Sequence, residues 1–258
     1  MVEFSVPVQN NTKLGRVVEK IKEDVELQTY WKASNIIAID RLGLNDHGPV
    51  HVKIVANLSL KMLRILMSKG IEPGVVKNYN LTNDDAEVVV VLASALHDVG
   101  HAIHRVEHEN NSLVLAAPII DRILDGIYTG EEKYIIKAET LHAIFAHRAS
   151  IYPLTLEAGV VKIADALDME EGRARIPFKI GKVNIHSVSA IAIKEVEVVE
   201  GTHKPLKVII KMKNSAGIFQ VDELLKNKIE TSGIKHLIEV RAEVIGDTEE
   251  KIVDEVNF

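Results

Sequence analysis

The chain has 258 residues and a formal net charge of −6, and only 4% of its residues are aromatic. Nucleic-acid-binding surfaces are basic and often stack bases on aromatic rings, so this balance gives no strong nucleic-acid signal. The sequence contains no cysteine, which excludes disulfides, thiolate metal sites and cysteine nucleophiles. It also shows no apolar signal segment and no run of membrane-spanning length, and we therefore expect a cytoplasmic protein without membrane partners.

Apolar residues recur at helical spacing through most of the first two thirds of the chain. We expect helices joined by short loops over about residues 12–26, 31–41, 49–70, 81–98, 111–130, 131–148 and 155–172. The valine run at 88–91 would also suit a buried strand. The capping candidates Thr82 and Asn83, followed by acidic residues, favour a helix.

The pattern changes after Pro177. Residues 188–201 and 204–217 alternate in the manner of two strands of a hairpin, 218–233 are typical of a helix, and 234–246 predict another strand. The predicted fold class is mainly α: an all-helical domain over residues 1–178, followed by a small α+β domain over 179–258. The second domain is a candidate for dimerisation or for binding substrate or an effector.

Histidines are concentrated in the helical part of the sequence. Eight of the eleven lie between residues 47 and 147, and four fall within residues 97–108, directly after an apolar run. His51, the pair His97–Asp98 and Asp165 each lie in or beside an apolar helix, so all can point into one interior. Imidazole and carboxylate bind divalent transition metals well. Because burying such groups without an ion is costly, a metal site is favoured over a hydrogen-bonded polar core.

The order His … His-Asp … Asp, in "HVKIVANLSLKML", "ALHDVGH" and "KIADALD", resembles the HD-domain superfamily of metal-dependent phosphohydrolases. The resemblance covers about residues 30–170 and implies an all-helical bundle. It implies metal ligands at His51, His97, Asp98 and Asp165. Branches of the superfamily that hold a second ion have two further histidines, and "VEHENN" and "AIFAHR" resemble those segments. This implies His108 and His147 as ligands and Asp98 as the bridge, with His142 as a competitor for the position of His147.

The resemblance implies that a metal-activated water hydrolyses a phosphate ester, either a monoester or a diester, with nucleotides among the candidate substrates. The expected cofactor is one or two divalent ions of Mn, Fe, Ni, Co, Mg or Zn. We expect Asp98 and His101 to be catalytic, with His101 giving a proton to the leaving oxygen. The basic residues near the ligands in sequence are candidates for binding substrate phosphate: Arg105, Arg148 and Lys162, together with Arg173 and Arg175 in the loop beyond the last helix.

The sequence departs from the superfamily pattern at two places. Many phosphodiesterase branches have a lysine where this chain has His101, and the Phe and Gly-His that follow "HDVGH" in the nucleoside-triphosphate hydrolases are absent. The latter argues against a deoxynucleotide triphosphohydrolase. The alternative functions are a di-iron oxygenase and a non-catalytic sensor of a nucleotide or a metal. The C-terminal strands could also simply form a homodimer. His104 is expected to face solvent and His47 to be a turn residue.

Overall fold

The computed structural model describes residues 3–170, 189, 191–245 and, for the backbone, 255–257. The helices are α1 (Thr12–Glu23), α2 (Val25–Asn35), α3 (Pro49–Ser68), α4 (Gly74–Tyr79), α5 (Asn83–Leu96), α6 (His108–Leu124), α7 (Gly130–Ala146) and α8 (Leu156–Leu167). A π-helical turn (Ile36–Arg41) extends α2, and a 3₁₀ turn (Val99–Ala102) follows α5. The predicted boundary between residues 178 and 179 lies outside the described residues.

Helix α5 forms the centre of the bundle. Every residue from Asp85 to Leu96 is buried, and the helix packs against α1, α3, α7 and α8. A helix that is apolar on all sides is stable only when other elements surround it. Its first turn is fixed by a capping box, in which Thr82 and Asp85 satisfy each other's backbone N–H groups. The prediction of a helix, rather than a strand, at the valine run is confirmed.

The junction between the first two helices lies earlier in the chain than predicted, while the outer bounds near residues 12 and 41 agree with the structure. Asn11 is the N-cap of α1, since its side-chain oxygen accepts from the N–H of Leu14 at 2.9 Å. The carboxylate of Asp24 accepts from the N–H of Leu27 at 2.9 Å and so begins a new helix. Therefore α1 ends at Glu23 rather than near residue 26, and α2 begins well before residue 31.

The C-terminal part of the chain forms a four-stranded sheet. Its strands are β1 (Ile193–Glu200), β2 (Leu206–Met212), β3 (Ile238–Val244) and β4 (Glu255–Asn257). β1 and β2 form the predicted antiparallel hairpin, β2 pairs with β3 in parallel, and β3 pairs with β4 antiparallel. The crossover from β2 to β3 includes a π-helical turn (Gln220–Leu225) and helix α9 (Lys226–Glu230). The expected mainly α fold with a small α+β region is confirmed.

This C-terminal region packs directly on the helical bundle. β1 and β2 contact α3, and α9 contacts α8. Inward-facing residues alternate along β2 and β3, so one face of the sheet is buried. Within the described residues, no helix is long and apolar enough to span a membrane.

Gly100 permits the close contact between the end of α5 and the start of α6. Its N–H donates to Oγ of Ser112 at 2.8 Å, and that hydroxyl donates to the carbonyl of His97 at 2.6 Å. A Cβ atom on Gly100 would lie 2.0 Å from the carbonyl oxygen of His108. Only glycine fits this contact, which places the end of α5 beside the first residue of α6.

We expect Gly100→Ala to lower the free energy of unfolding by at least about 1–3 kcal/mol, because a backbone atom has to move. Urea denaturation of the metal-free protein measures this change. Gly15→Ala is the matched control, since Gly15 lies in α1 with no neighbouring atom within 4 Å. It should raise stability by about 0.5–1 kcal/mol through helix propensity. Equal stability of the two variants would contradict the assigned role of Gly100.

Candidate metal centre

Helix ends bring the predicted ligands together at one side of α5. His97 is the C-cap of α5, His147 is the C-cap of α7, and His108 is the first residue of α6. His51 lies in the first turns of α3, and Asp165 lies near the end of α8. The ligand atoms of His51, His97 and Asp165 all lie within 4.8 Å of one another, and so do those of Asp98, His108 and His147.

The first group surrounds one oxygen of Asp98. Nε2 of His51 lies 3.3 Å from Oδ2 of Asp98 and 3.3 Å from Oδ1 of Asp165. Nε2 of His97 lies 3.5 Å and 3.7 Å from the same two oxygens. Nitrogen and oxygen ligands sit about 2.0–2.2 Å from a metal ion, so atoms of neighbouring ligands are about 3 Å apart. The four side chains therefore have the spacing of ligands around one ion.

The second group surrounds the other oxygen of Asp98. Oδ1 lies 3.4 Å from Nε2 of His108 and 3.9 Å from Nε2 of His147, and these two nitrogens are 3.4 Å apart. Each oxygen of Asp98 thus faces a separate set of histidine nitrogens. This is the arrangement of a carboxylate that could bridge two ions.

The tautomers of these histidines are set by the ring nitrogen that faces away from the centre. In each of the four rings Nδ1 contacts an oxygen that can only accept: Asp168 Oδ2 for His51 (2.5 Å), and the carbonyls of Ser94 for His97 (2.8 Å), Arg105 for His108 (3.1 Å) and Ile144 for His147 (2.5 Å). Nδ1 therefore carries the proton, and Nε2 presents a lone pair. Nε2 of His51 and Nε2 of His97 lie 3.2 Å apart with two lone pairs facing the same point. Such a donor set fits a cation.

Two further residues join the centre although the sequence did not nominate them as ligands. Asp168 lies just beyond α8 and orients His51 through the contact of 2.5 Å. His47 places Nδ1 at 2.7 Å from Oδ2 of Asp98 and stacks on His101 at 4.2 Å between ring centroids. With Asp98 and His101, it forms a third group whose ligand atoms are close enough to hold an ion. A turn residue such as His47 shows no periodicity that would have revealed this.

Burial and mutual contacts give the site the protonation states that metal binding needs. Burial alone would raise the pKa of Asp98, but the imidazoles of His97, His47 and His101 hold that pKa well below its ordinary value. Burial alone would also raise the pKa of Asp165, but the ammonium of Lys228 and the contacts with His51 and His97 hold that pKa well below its ordinary value. Burial lowers the pKa of His147 well below its usual range. Ionised carboxylates and neutral imidazoles are the forms that bind metals.

The setting of His101 does not favour the predicted proton donor. Its ring is fully buried, and burial lowers its pKa to about 2. The imidazole is therefore neutral near pH 7 and has no additional proton to give to a leaving oxygen. Nε2 of His101 lies 3.6 Å from Oδ1 of Asp98 and accepts from Nη1 of Arg105 at 3.1 Å. These contacts suit a residue that orients Arg105 or binds a metal.

The predicted phosphate-binding residues fall into different settings. Arg105 is exposed, and its Nη1 lies 3.1 Å from Nε2 of His101 and 3.5 Å from Nδ1 of His108, a member of the second group. Arg148 forms two hydrogen bonds with the carboxylate of Glu107, at 3.1 and 3.2 Å. Arg173 and Arg175 lie outside the described residues.

The structure contradicts the prediction that Lys162 binds substrate phosphate. The residue is fully buried, and Nζ donates to the carbonyls of Ala149, Ile151 and Thr231 at 3.1, 2.6 and 3.1 Å. Its position near the ligands in sequence suggested a contact with phosphate, but these carbonyls take up its donors. Its role in the structure is to join α8 to the loop after α7 and to the end of α9.

Two other histidines are placed away from the ligand groups. Nε2 of His142 accepts from the N–H of Leu154 at 3.1 Å, so the structure favours His147 over His142 at the centre. His104 is exposed, as expected, and its Nδ1 accepts from the N–H of Val106 at 2.9 Å.

A cation from the C-terminal region reaches the centre. Nζ of Lys228, on α9, contacts Oδ2 of Asp165, while Oδ1 of Asp165 faces His51 and His97. Lys228 and Asp165 are 63 residues apart in sequence, so no local pattern links them.

The geometry agrees with the comparison to known families. Residues 51–170 match the family model of the HD domain. The chain belongs to the HD-domain superfamily. It is similar to "Uncharacterized protein MJ1020" of Methanocaldococcus jannaschii, with 43% identity over 242 residues that cover 94% of this chain and 93% of the relative. No solved structure matches the chain.

Membership confirms the resemblance seen in the sequence. HD domains bind divalent metals, and the His and Asp groups of this HD domain could hold such ions. The superfamily is one of metal-dependent phosphohydrolases, which gives the chemical class within which the centre is to be understood.

We expect Asp168→Ala to weaken metal binding about 10- to 100-fold, since it removes the acceptor that orients His51. Competition with a chromophoric chelator measures the dissociation constant. Asp222→Ala is the control, because Asp222 is an exposed carboxylate paired with Lys226. Unchanged affinity in Asp168→Ala would show that the contact with His51 does not support the centre.

The metal-free protein should lose stability as the pH falls below about 6.5, the ordinary pKa of histidine. The pKa of His147 is lowered in the folded state, so the unfolded chain takes up the proton first. This costs about 1.4 kcal/mol per pH unit for one such residue. Urea unfolding with chelator, at about pH 7.5 and 5.5, should give a shallower loss for His147→Gln than for the wild type. His203→Gln, at an exposed residue, should match the wild type, and equal slopes in all three proteins would contradict the assignment.

Proposed function

We propose that this protein hydrolyses a phosphate ester by means of a metal-activated water. The observation that supports this most directly is the double use of Asp98. Its Oδ2 faces His51 and His97, and its Oδ1 faces His108 and His147. A pair of adjacent ions is the arrangement that steadies the attacking and leaving oxygens of phosphoryl transfer.

Two sets of side chains would each hold one metal ion. His51, His97 and Asp165, with Oδ2 of Asp98 beside them, would hold one ion, and Asp98, His108 and His147 would hold the other. Ions bound there would polarise a phosphoryl oxygen and lower the pKa of a bound water to about 7. Among Mn, Fe, Ni, Co, Mg and Zn, a donor set of imidazoles and carboxylates suits the transition metals best.

Arg105 is the best-placed residue of the helical bundle for binding the substrate. Its guanidinium is exposed, and one N–H donates to His101, which leaves other donors of the planar group for phosphate oxygens. Arg148 is a weaker candidate, because it would first have to leave Glu107. The substrate class we propose is a small phosphomonoester or phosphodiester, with nucleotides included in the test.

We expect Asp98→Ala to lower the turnover number at least about 100-fold, since loss of even an indirect partner of a metal commonly costs 10- to 100-fold. The assay uses p-nitrophenyl phosphate, bis(p-nitrophenyl) phosphate and nucleoside monophosphates with Mn or Ni added. His104→Ala is the matched control, as an exposed histidine of the same segment. Circular dichroism checks that both variants are folded.

Full activity in Asp98→Ala would contradict the proposal. So would a wild-type protein that binds nucleotides tightly without turnover, which would indicate a sensor. Consumption of oxygen that depends on iron, with no release of phosphate, would indicate an oxygenase.

A further inference from the structure

Lys228 lies beside the metal centre although it belongs to the C-terminal region. Its ammonium contacts Oδ2 of Asp165, the oxygen that is not turned toward His51 and His97. Oδ1 is therefore free to serve as a metal ligand while Lys228 keeps its contact. The ammonium occupies a position immediately outside the ligand groups, on the side of the first group.

The segment that carries Lys228 is held in place by contacts that are independent of Asp165. The buried ammonium of Lys162 donates to the carbonyls of Ala149, Ile151 and Thr231. Oγ1 of Thr231 in turn donates to the carbonyl of Ala149 at 2.9 Å. The end of α9 is thus tied to the loop that follows His147. These contacts hold the helix that carries Lys228 in place beside α8.

The ammonium has bonding capacity beyond this one contact. A lysine carries three N–H donors, and Asp165 is the hydrogen-bond partner found for Lys228 among the described residues. The side chain of Lys228 is 20% exposed, compared with 14% for Asp165, so part of the lysine side chain is open to solvent. A divalent ion at Oδ1 would take up much of the charge of Asp165. The ammonium would then be left with uncompensated positive charge, which favours an anion beside it.

We propose that Lys228 binds the phosphoryl group of the substrate, so that the C-terminal region completes the active site. This inference rests on the proposed function and adds a substrate-binding residue to it. Arg105 contacts His101 and His108, on the side of the second ligand group, and Lys228 contacts Asp165 in the first. The two cations therefore flank the centre, one from the helical bundle and one from the C-terminal region, and an anion bound at the centre would meet both.

The test uses isothermal titration calorimetry to measure the binding of inorganic phosphate to the metal-loaded full-length protein. We expect Lys228→Met to weaken phosphate binding at least about tenfold, because it removes a charge-assisted hydrogen bond. Lys228→Arg keeps the charge and should stay within about threefold of the wild type. Lys226→Met is the matched control on the same helix, since Lys226 is exposed and paired with Asp222. It should bind phosphate as the wild type does.

Elemental analysis of each variant separates phosphate binding from metal binding. Lys228→Met should keep the metal content of the wild type. Equal phosphate affinity in Lys228→Met and the wild type would overturn the proposal. Weaker binding accompanied by loss of metal would also overturn it, because Lys228 would then act only through Asp165.

A parallel hydrolysis assay keeps this inference distinct from the proposed function. Turnover by the wild type, with phosphate affinity that does not depend on Lys228, would refute only the role of Lys228. Phosphate binding that depends on Lys228, with no turnover of any ester, would refute only the proposed hydrolysis.

Discussion

The candidate metal centre depends on one buried carboxylate, Asp98, which is shared by histidines from several elements. Three imidazoles lie within 3.5 Å of Oδ2, those of His47, His51 and His97, while His101, His108 and His147 face Oδ1. A buried charge is tolerated only when it is paired. The bundle is therefore constrained to bring α3, the end of α5, the start of α6 and the end of α7 to the same point.

The same local contact, from a histidine Nδ1 to a nearby backbone carbonyl, occurs three times in the bundle and helps to meet this constraint. His97, His108 and His147 each contact, through Nδ1, the carbonyl three residues earlier in the chain. In α5 and α7 that carbonyl belongs to the last turn, where carbonyls lack partners within the helix. The histidine thus satisfies the helix end and turns its Nε2 toward the centre. The carboxyl ends of both helices also bring partial negative charge to a place that suits cations.

The part of this arrangement that local sequence encodes could be predicted. The apolar valine run and its capping residues indicated α5. The order of His51, His97–Asp98 and Asp165 indicated candidate ligands, and the family resemblance added His108 and His147, which the structure brings to the same place. Contacts made by tertiary packing could not be predicted. Asp168 lies past the end of its helix, His47 lies in a turn, and Lys228 meets Asp165 only because α9 packs on α8. The prediction for Lys162 was wrong because closeness in sequence does not show which carbonyls surround a buried ammonium.

Metal content per chain tests the central role of Asp98 most directly. The protein is purified without chelator, and the wild type and Asp98→Ala are compared by elemental analysis. If the two oxygens of Asp98 serve two groups of histidines, the wild type holds close to two divalent ions per chain and the variant loses both. A wild type that holds no ion even after addition of Mn or Ni would contradict the account.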